Sequence, residues 1–566
     1  MARYLITSAL PYINGIKHLG NLAGSMLPAD VHARFRRLQG HEVLFICATD
    51  EHGTPAELAA AEAKLDVRDY CDEQHLLQRT CGEEFALSFD FFGRSSSRQN
   101  RDLTQFFAAR LEDRGYIEEK ETEQVYSVDD RRFLPDRYIE GTCPSCGYDS
   151  ARGDQCDGCG TLLDPVELIR PRSVLSGSTN IEIRRTKHLF LSQSKLAGAI
   201  REWVDGANGW PPLAKSIAYK WLDEGLQDRS ITRDLSWGVP VSRDGYARQG
   251  YERKVFYVWF DAPIEYIGAT QEWAEATGRN WVRWWRADQG AEDVSYIQFM
   301  GKDNVAFHTV SFPATIIGAG EPFKLVDRLK AFNWMTWYGG KFSTSQQRGI
   351  FMDQALKLLP ADCWRWYLTA HAPESSDTAF TLEHFQAVVN SDLANVLGNF
   401  ANRILHFIKS NYEGRVPSSG DAGDKVWTEV ASKLQALTDS HEAMEYRRTA
   451  AETRAIWSLG NEFLQQRAPW AKIKINRERA AIDIGTAAML LRLAATISLP
   501  IIPTTAKAIL HSLGLQIADA RWPNTSNPQS DLPIQVGASI TIPNILFQKI
   551  DNDTVGKWKA QFVPEQ

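Results

Sequence analysis

Six consecutive apolar residues, Val43-Leu-Phe-Ile-Cys-Ala48, run without a polar interruption into the cluster Thr49-Asp-Glu-His-Gly53. A strand with one wet face alternates in polarity, whereas a strand apolar throughout is covered on both faces, as in a parallel sheet between helical layers. Upstream, Tyr4-Leu-Ile-Thr-Ser8 reads as a first strand, followed by a turn-rich segment around Pro11 and Gly15 and a helical pattern from about residue 21 to 39. Strand, helix, strand predicts an α/β nucleotide-binding unit with a Rossmann-like, doubly wound parallel sheet. Two later runs, Val255-Phe-Tyr-Val-Trp-Phe260 and Tyr296-Ile-Gln-Phe-Met300, are expected to complete that sheet, so the unit is read as split by an insertion.

At 566 residues the chain has room for about three or four domains. Its 43% hydrophobic residues and 18 Trp exclude global disorder. With 63 Lys and Arg against 70 Asp and Glu, nucleic acid can be bound only through local basic patches. The N-terminal apolar run is brief and stops at Pro11, unlike a secretory signal. The most apolar late stretch, residues 488–499, contains Arg492 and runs into Pro500 and Pro503, so no membrane span is expected. Eight Cys, four of them within seventeen residues, suit a reducing cytoplasm better than a disulfide framework. Cys47, Cys71, Cys81 and Cys363 read as ordinary thiols. From Leu382 onward, Phe385, Val389, Leu393, Val396, Phe400, Ile404 and Phe407 recur in steps of four and three, one face of a long helix. Helical patterns continue to about residue 515, and the last fifty residues are Pro-, Asn- and Asp-rich with short β-like runs and no functional reading.

Four constellations carry possible chemistry. Pro11-Tyr-Ile-Asn-Gly-Ile-Lys-His-Leu-Gly-Asn21 lies between strand and helix, where free backbone N–H groups favour a phosphate; Gly20 permits close approach and His18 and Asn21 supply donors. An ordinary capped turn is the bland alternative. Lys341-Phe-Ser-Thr-Ser345, after Gly339 and Gly340, reads as a loop bearing a cation and hydroxyls, and alone it is indistinguishable from a solvated surface loop. Cys143-Pro-Ser-Cys146 and Cys156-Asp-Gly-Cys159 have the spacing of a four-thiolate structural Zn²⁺ site, one metal per chain, with two local disulfides as the alternative. Asn399 and Arg403 share a helix face, and Pro469-Trp470 follows Arg467 at a helix end. An exposed Trp offers a stacking surface for an unpaired base, although composition favours a core Trp there.

The first two motifs stand about 320 residues apart, and together they resemble the HIGH element (His18-Leu-Gly-Asn21) and KMSKS loop (Lys341 to Ser345) of class I aminoacyl-tRNA synthetases. Ala9-Leu-Pro-Tyr12, Thr49-Asp-Glu-His-Gly53, Val258-Trp-Phe-Asp-Ala-Pro263 and Gly301-Lys-Asp-Asn-Val305 with His308 narrow the resemblance to the methionyl-tRNA synthetase family over nearly the whole chain. The resemblance implies activation of L-methionine with Mg²⁺-ATP to methionyl-adenylate, then transfer to the terminal adenosine of tRNA(Met). It assigns catalysis to His18, Asn21, Lys341, Ser343, Thr344 and Ser345, and ATP binding to His18, Gly20, Asn21, Lys341 and Thr344. Methionine would meet Ala9, Leu10, Tyr12, Asp50, Trp259, Ala262, Pro263, Tyr266, Asn304 and His308, with Asp50 on the α-ammonium. Asn399, Arg403, Pro469 and Trp470 match the residues that read a CAU anticodon.

The implied domains are a catalytic first half (1–115), a connective insertion with the zinc knuckle (116–232), a catalytic second half (233–330), a linker with the KMSKS-like loop (331–384) and an α-helical anticodon-binding bundle with its tail (385–566). A monomer is expected. Thr344 departs from the family loop, which has a second lysine there, and this raises two alternatives: Lys341 aided by Arg348 sustains activity, or the chain is a catalytically impaired tRNA-binding form. A synthetase for Ile, Leu, Val or Cys is the other enzymatic reading; for the first three, the insertion is too small for an editing domain.

Overall fold

The first strand is flanked on both sides. In the computed structural model, which describes residues 1–154, 156, 158–159, 161–344, 346–419 and 425–563, the central sheet has five parallel strands: β1 (Arg3–Ser8), β2 (Glu42–Thr49), β3 (Phe91–Arg94), β4 (Val294–Gly301) and β5 (Arg328–Phe332). Their order is β5-β4-β1-β2-β3, with Ile6 opposite both Phe45 and Ile297. The chain progresses from β1 toward β3 on one side and restarts with β4 on the other, so the crevice beyond the C-terminal ends of β1 and β4 is the point where strand order reverses and ligands bind in such sheets.

The unbroken apolar run of β2 has the expected cause. Leu5, Leu44 and Ile46 pack into one core with the helices Arg98–Asp113 and Glu265–Thr277, while Ile6, Phe45, Ile297 and Phe299 pack into another that continues into the C-terminal helices. Both faces are buried, so neither position set can be polar.

The run Val255 to Phe260 corrects one expectation. Only Val255–Phe256 is extended, and it pairs antiparallel with Thr232–Arg233 outside the main sheet; Val258–Asp261 is a helical turn. Tyr257 N–H closes the ladder on Ile231 O at 2.9 Å, and its own carbonyl then accepts from Phe260 N–H at 2.8 Å. A short apolar run is equally a buried strand or a buried helical turn, and here the helix continues through Ala262–Ile264, with Pro263 where a missing N–H costs little. The run Tyr296 to Met300 does lie in the sheet, as part of β4.

Between the sheet halves, a ribbon of Ile117–Ser127 against Ile181–Leu191 projects outward, in register from Ile117 opposite Leu191 to Ser127 opposite Ile181. Beyond it a small three-stranded sheet, Ala151–Arg152, Ile139–Thr142 and Ile169–Ser173, carries the cysteine-rich segment on its own core of Val125, Leu134, Tyr138 and Ile139. Helices Gln193–Gly206 and Pro212–Asp223 then return to pack against the catalytic core.

The helical run from Leu382 is continuous through Leu382–Val388, Val389–Gly398 and Asn399–Asn411. Phe385, Val389, Leu393, Phe400 and Ile404 are buried as expected, but Leu397 and Ile408 are buried in place of Val396 and Phe407. The middle segment is π-wound, and its wider turn brings Leu397 inward in place of Val396; Ile408 follows Ile404 by four residues in the α-helix beyond. Helix Arg477–Ser498 is long and apolar enough to cross a membrane, but 83% of its most apolar window is buried inside the fold, as in a core helix.

The β-like runs expected near the C-terminus do not form strands among the described residues. Prolines 528, 533 and 543 remove ladder donors, and the backbone instead bonds piecemeal, as in Ile540 N–H to Gly414 O at 2.9 Å. Helix Asn552–Phe562 closes this tail against Leu382–Val388, where Lys559 pairs with Glu383 at 2.6 Å.

A fully buried guanidinium ties the parts together. Arg365 donates to Asp30 Oδ2 (2.7 Å), Phe85 O (3.1 Å), Ile501 O (2.7 Å) and Pro500 O (2.9 Å), joining the catalytic layer to the C-terminal helices.

Candidate active site

The crevice is built from strand ends. β1 runs into Ala9, whose N–H bonds to Phe299 O of β4 at 2.8 Å, and then into Tyr12, which bridges Asp50 just past β2. Asp50 is buried; one carboxylate oxygen is met by the His52 backbone N–H, and Oδ1 has no hydrogen-bond partner among the described residues. Burial, reinforced by neighbouring Asp261 and Glu51, holds the Asp50 carboxyl well above the usual carboxylate range. A ligand cation placed against Oδ1 would reverse that. Asp261 itself is paired with His52.

Around Asp50 the walls are aromatic. Trp259 Nε1 donates to the Tyr12 hydroxyl at 3.3 Å and its ring meets Phe307 at 4.6 Å. His308 Nδ1 contacts Asn304 O at 2.8 Å, and a carbonyl only accepts, so Nδ1 carries the proton. Nε2 is then the acceptor for the Tyr266 hydroxyl at 2.9 Å. Burial lowers His308 to about 4, which keeps the ring neutral and that tautomer in place. Tyr266 also meets the Leu10 backbone, and Ala262 and Pro263 are buried beside it. Phe312 lies 6.4 Å from the Tyr266 ring. Tyr12, 40% exposed, forms the open edge.

The two loop motifs meet directly. His18 caps the helical run that begins at Leu19, its Nδ1 accepting from Asn21 N–H at 3.2 Å, which leaves the ring proton on Nε2. Burial, with Lys17 and Lys341 nearby, lowers His18 to about 3, so the ring is a neutral donor. Phe342 stacks on it at 4.9 Å. After the loop, the chain zips onto the first motif: Leu19 N–H to Ile350 O at 3.0 Å and Met352 N–H to Lys17 O at 2.9 Å. Lys341 is exposed, with Nζ 4.7 Å from the Trp334 ring centre. Ser343 and Arg348 close a small hairpin through paired backbone bonds of 3.1 and 2.9 Å. Thr344 is in its turn, near Gly15; Ser345 lies outside the described residues. The Arg348 guanidinium rests on Gly340, where a Cβ would collide with it.

The four cysteine sulfurs at 143, 146, 156 and 159 lie within 4.8 Å of one another, with Cys146 to Cys156 at 3.6 Å and Cys143 to Cys159 at 4.0 Å. A tetrahedral Zn²⁺ with bonds of about 2.3 Å separates its sulfurs by about 3.8 Å, so the set fits zinc with no open position. On the helical bundle, Asn399 is exposed and the Arg403 guanidinium lies 4.7 Å over the Trp470 ring. Trp470 is 42% exposed rather than core, while Pro469 is buried.

Residues 4–405 match the family described as tRNA synthetases class I (M), and residues 416–566 match the anticodon binding domain of methionyl tRNA ligase. A methionine–tRNA ligase of Caulobacter vibrioides is 62% identical over 566 residues, covering 99% of each chain, and one of Maricaulis maris is 61% identical over the same share. The chain belongs to the methionyl-tRNA synthetases. The fold agrees: a Mycobacterium tuberculosis methionyl-tRNA synthetase in complex with methionyl-adenylate superposes with a TM-score of 0.76 at 22% identity, covering 97% of this chain and 100% of that one.

Within this synthetase fold, several site residues escape sequence reasoning. Lys17 is only 5% exposed, bonded through Nζ to Asn14 Oδ1 at 3.1 Å, and burial lowers it to about 7. Phe342 and the His52–Asp261 pair likewise organise the crevice. Their signal lay inside the quoted motifs, but nothing local showed which side chains face inward. A cavity of about 560 Å³ also opens beside Trp259 and Phe307, bounded on the insertion side by Asp154, His188 and Arg229.

Proposed function

We propose that this chain is a methionine–tRNA ligase that forms methionyl-adenylate from L-methionine and ATP, with Mg²⁺ accompanying the nucleotide, and transfers the methionyl group to tRNA(Met). The observation that carries the reading is 62% identity along 99% of a methionine–tRNA ligase. No comparison favours the catalytically impaired alternative.

In the first step the methionine carboxylate attacks the α-phosphate of ATP and pyrophosphate leaves; in the second a terminal ribose hydroxyl of the tRNA attacks the activated carbonyl and AMP leaves. The protein's part is placement and charge stabilisation. Asp50 Oδ1 receives the α-ammonium, and Ala9, Leu10, Tyr12, Trp259, Ala262, Pro263, Tyr266, Asn304 and His308 surround the side chain, where aromatic walls suit a thioether. His18 donates from Nε2 to phosphate, with Gly20, Asn21, Lys341, Ser343, Thr344 and Ser345 around the same groups. The position of Arg348 on Gly340, beside Lys341, supports its supplying a second cation where Thr344 has none.

The face bearing Asn399, Arg403, Pro469 and Trp470 reads the CAU anticodon, and the protein works as a cytoplasmic monomer. Residues 1–115 and 233–330 act as the catalytic halves, 116–232 as the connective insertion, 331–384 as the linker and 385–566 as the anticodon-binding part. Methionine-dependent ATP–pyrophosphate exchange, with leucine, isoleucine and cysteine as controls, tests the activity. Methionine-selective exchange is expected; exchange with another amino acid, or none from zinc-loaded protein, would overturn the reading.

A further inference from the structure

Trp470 sits on an elbow that is chemically unusual. Helix Tyr446–Arg467 ends, Ala468 turns with a left-handed φ of 41°, the short turn Pro469–Lys472 carries Trp470, and the next long helix starts at Arg477. Of the five cations along residues 467–479, Lys474 and Arg477 aside, three border this elbow: Arg467 before it, Lys472 within it and Arg479 after it. All three converge on one carboxylate. Asp483, 1% exposed, is 2.8 Å from Lys472 Nζ, 3.3 Å from Arg479 Nε and 4.0 Å from Arg467 Nε. On the far side the elbow is anchored to the helix that carries Asn399 and Arg403, where the Arg477 guanidinium lies 5.0 Å over Tyr412 and the Tyr412 hydroxyl donates to Arg477 O at 3.2 Å.

A left-handed alanine is disfavoured, and three neighbouring cations repel one another. A single buried carboxylate counters that repulsion, through a hydrogen-bonded pair from Oδ2 to Lys472 and longer charge contacts from Oδ1 to Arg479 and Arg467 on either side of the turn. We propose that Asp483 is a positioning residue for tRNA recognition, holding the basic elbow so that Trp470 and Arg403 form one stacking platform. Asp483 does not touch the tRNA; it acts through Lys472, Arg467 and Arg479. The proposal rests on the reading of this face as the anticodon-binding one.

The test uses the full chain in aminoacylation of two tRNA(Met) transcripts, one with CAU and one with an altered anticodon, alongside methionine-dependent pyrophosphate exchange. Asp483→Asn preserves shape but removes the charge. It is expected to raise KM for the CAU transcript about tenfold and to shrink the preference over the altered anticodon, with exchange held within about twofold. Asp483→Glu is expected to recover most of that preference. A preference unchanged by Asp483→Asn, while Trp470→Ala abolishes it, would overturn the positioning role and leave the anticodon reading standing. A preference unchanged by Trp470→Ala as well would overturn both. Parallel loss of exchange and aminoacylation would reduce Asp483 to a general folding role. Should Asp483→Asn fail to fold, Arg479→Met at a 40% exposed partner removes one tether; a smaller loss of preference is expected, and none would overturn the proposal.

Discussion

A buried acid, Asp50, and a buried base, Lys17, stand in the crevice close enough to feel one another but with no ion pair among the described residues, and each makes a distinct prediction. Asp50 Oδ1 has no hydrogen-bond partner there, which supports its proposed contact with the methionine ammonium. Asp50→Asn is expected to lower kcat/KM for methionine in pyrophosphate exchange by about 10- to 100-fold, the range for losing a hydrogen bond to a charged group. Lys17 shows the cost of keeping a cation in such a place. Its folded-state value near 7 lies below that of an unfolded lysine, so between about pH 7 and 10 the unfolded chain holds the extra proton and stability rises with pH. Lys17→Met is therefore expected to be more stable than the parent by about 4 kcal/mol at pH 7, with the gain shrinking toward pH 10 in urea titrations. The Lys17 result separates burial cost from fold disruption, which would destabilise at every pH.

The loop hairpin carries the phosphate-directed groups of the proposed mechanism. It is fixed at one foot by Gly340–Lys341 pairing with Met335–Trp337 and at the other by the bonds of Ile350 and Met352 to the first motif. Gly340→Ala would put a Cβ where the Arg348 guanidinium rests, and that exposed, flexible end would swing away from Lys341. The expected outcome is a fall in exchange kcat of about tenfold or more with methionine KM little changed, as for a small misplacement of phosphate-directed groups. Elements like this also show what the sequence discloses. β1 and β2 were legible because their polarity pattern is a local record of burial, and the cysteine spacing was legible because four sulfurs need few other residues to converge. The helical turn at Val258–Asp261 was not, since a run of six apolar residues satisfies either geometry. Nor was the burial of Leu397, because a π-wound segment leaves no mark in a pattern read at 3.6 residues per turn. The stacking of Phe342 on His18 joins positions about 320 residues apart, and no local pattern encodes it.

At the scale of the molecule, Arg365 is the joint most exposed to a single substitution. Arg365→Met leaves Asp30 with Arg34 and Ser88 as partners but strips the buried carbonyls of Phe85, Pro500 and Ile501 of their donor, and a loss of about 1–3 kcal/mol in urea unfolding is expected. A loss near zero would mean that water reaches this seam. The continuous helix from Leu382 to Asn411 has a different consequence, for how such proteins can be recombined. The synthetase match ends at residue 405 and the anticodon match starts at 416, yet residue 405 lies inside Asn399–Asn411, with Phe400, Ile404 and Ile408 all buried. A chimera spliced there would sever a helix in mid-span and bare its apolar stripe on both fragments. The portable module for exchanging tRNA specificity therefore begins ahead of Leu382, and the unit that inheritance compares is not the unit that can be transplanted.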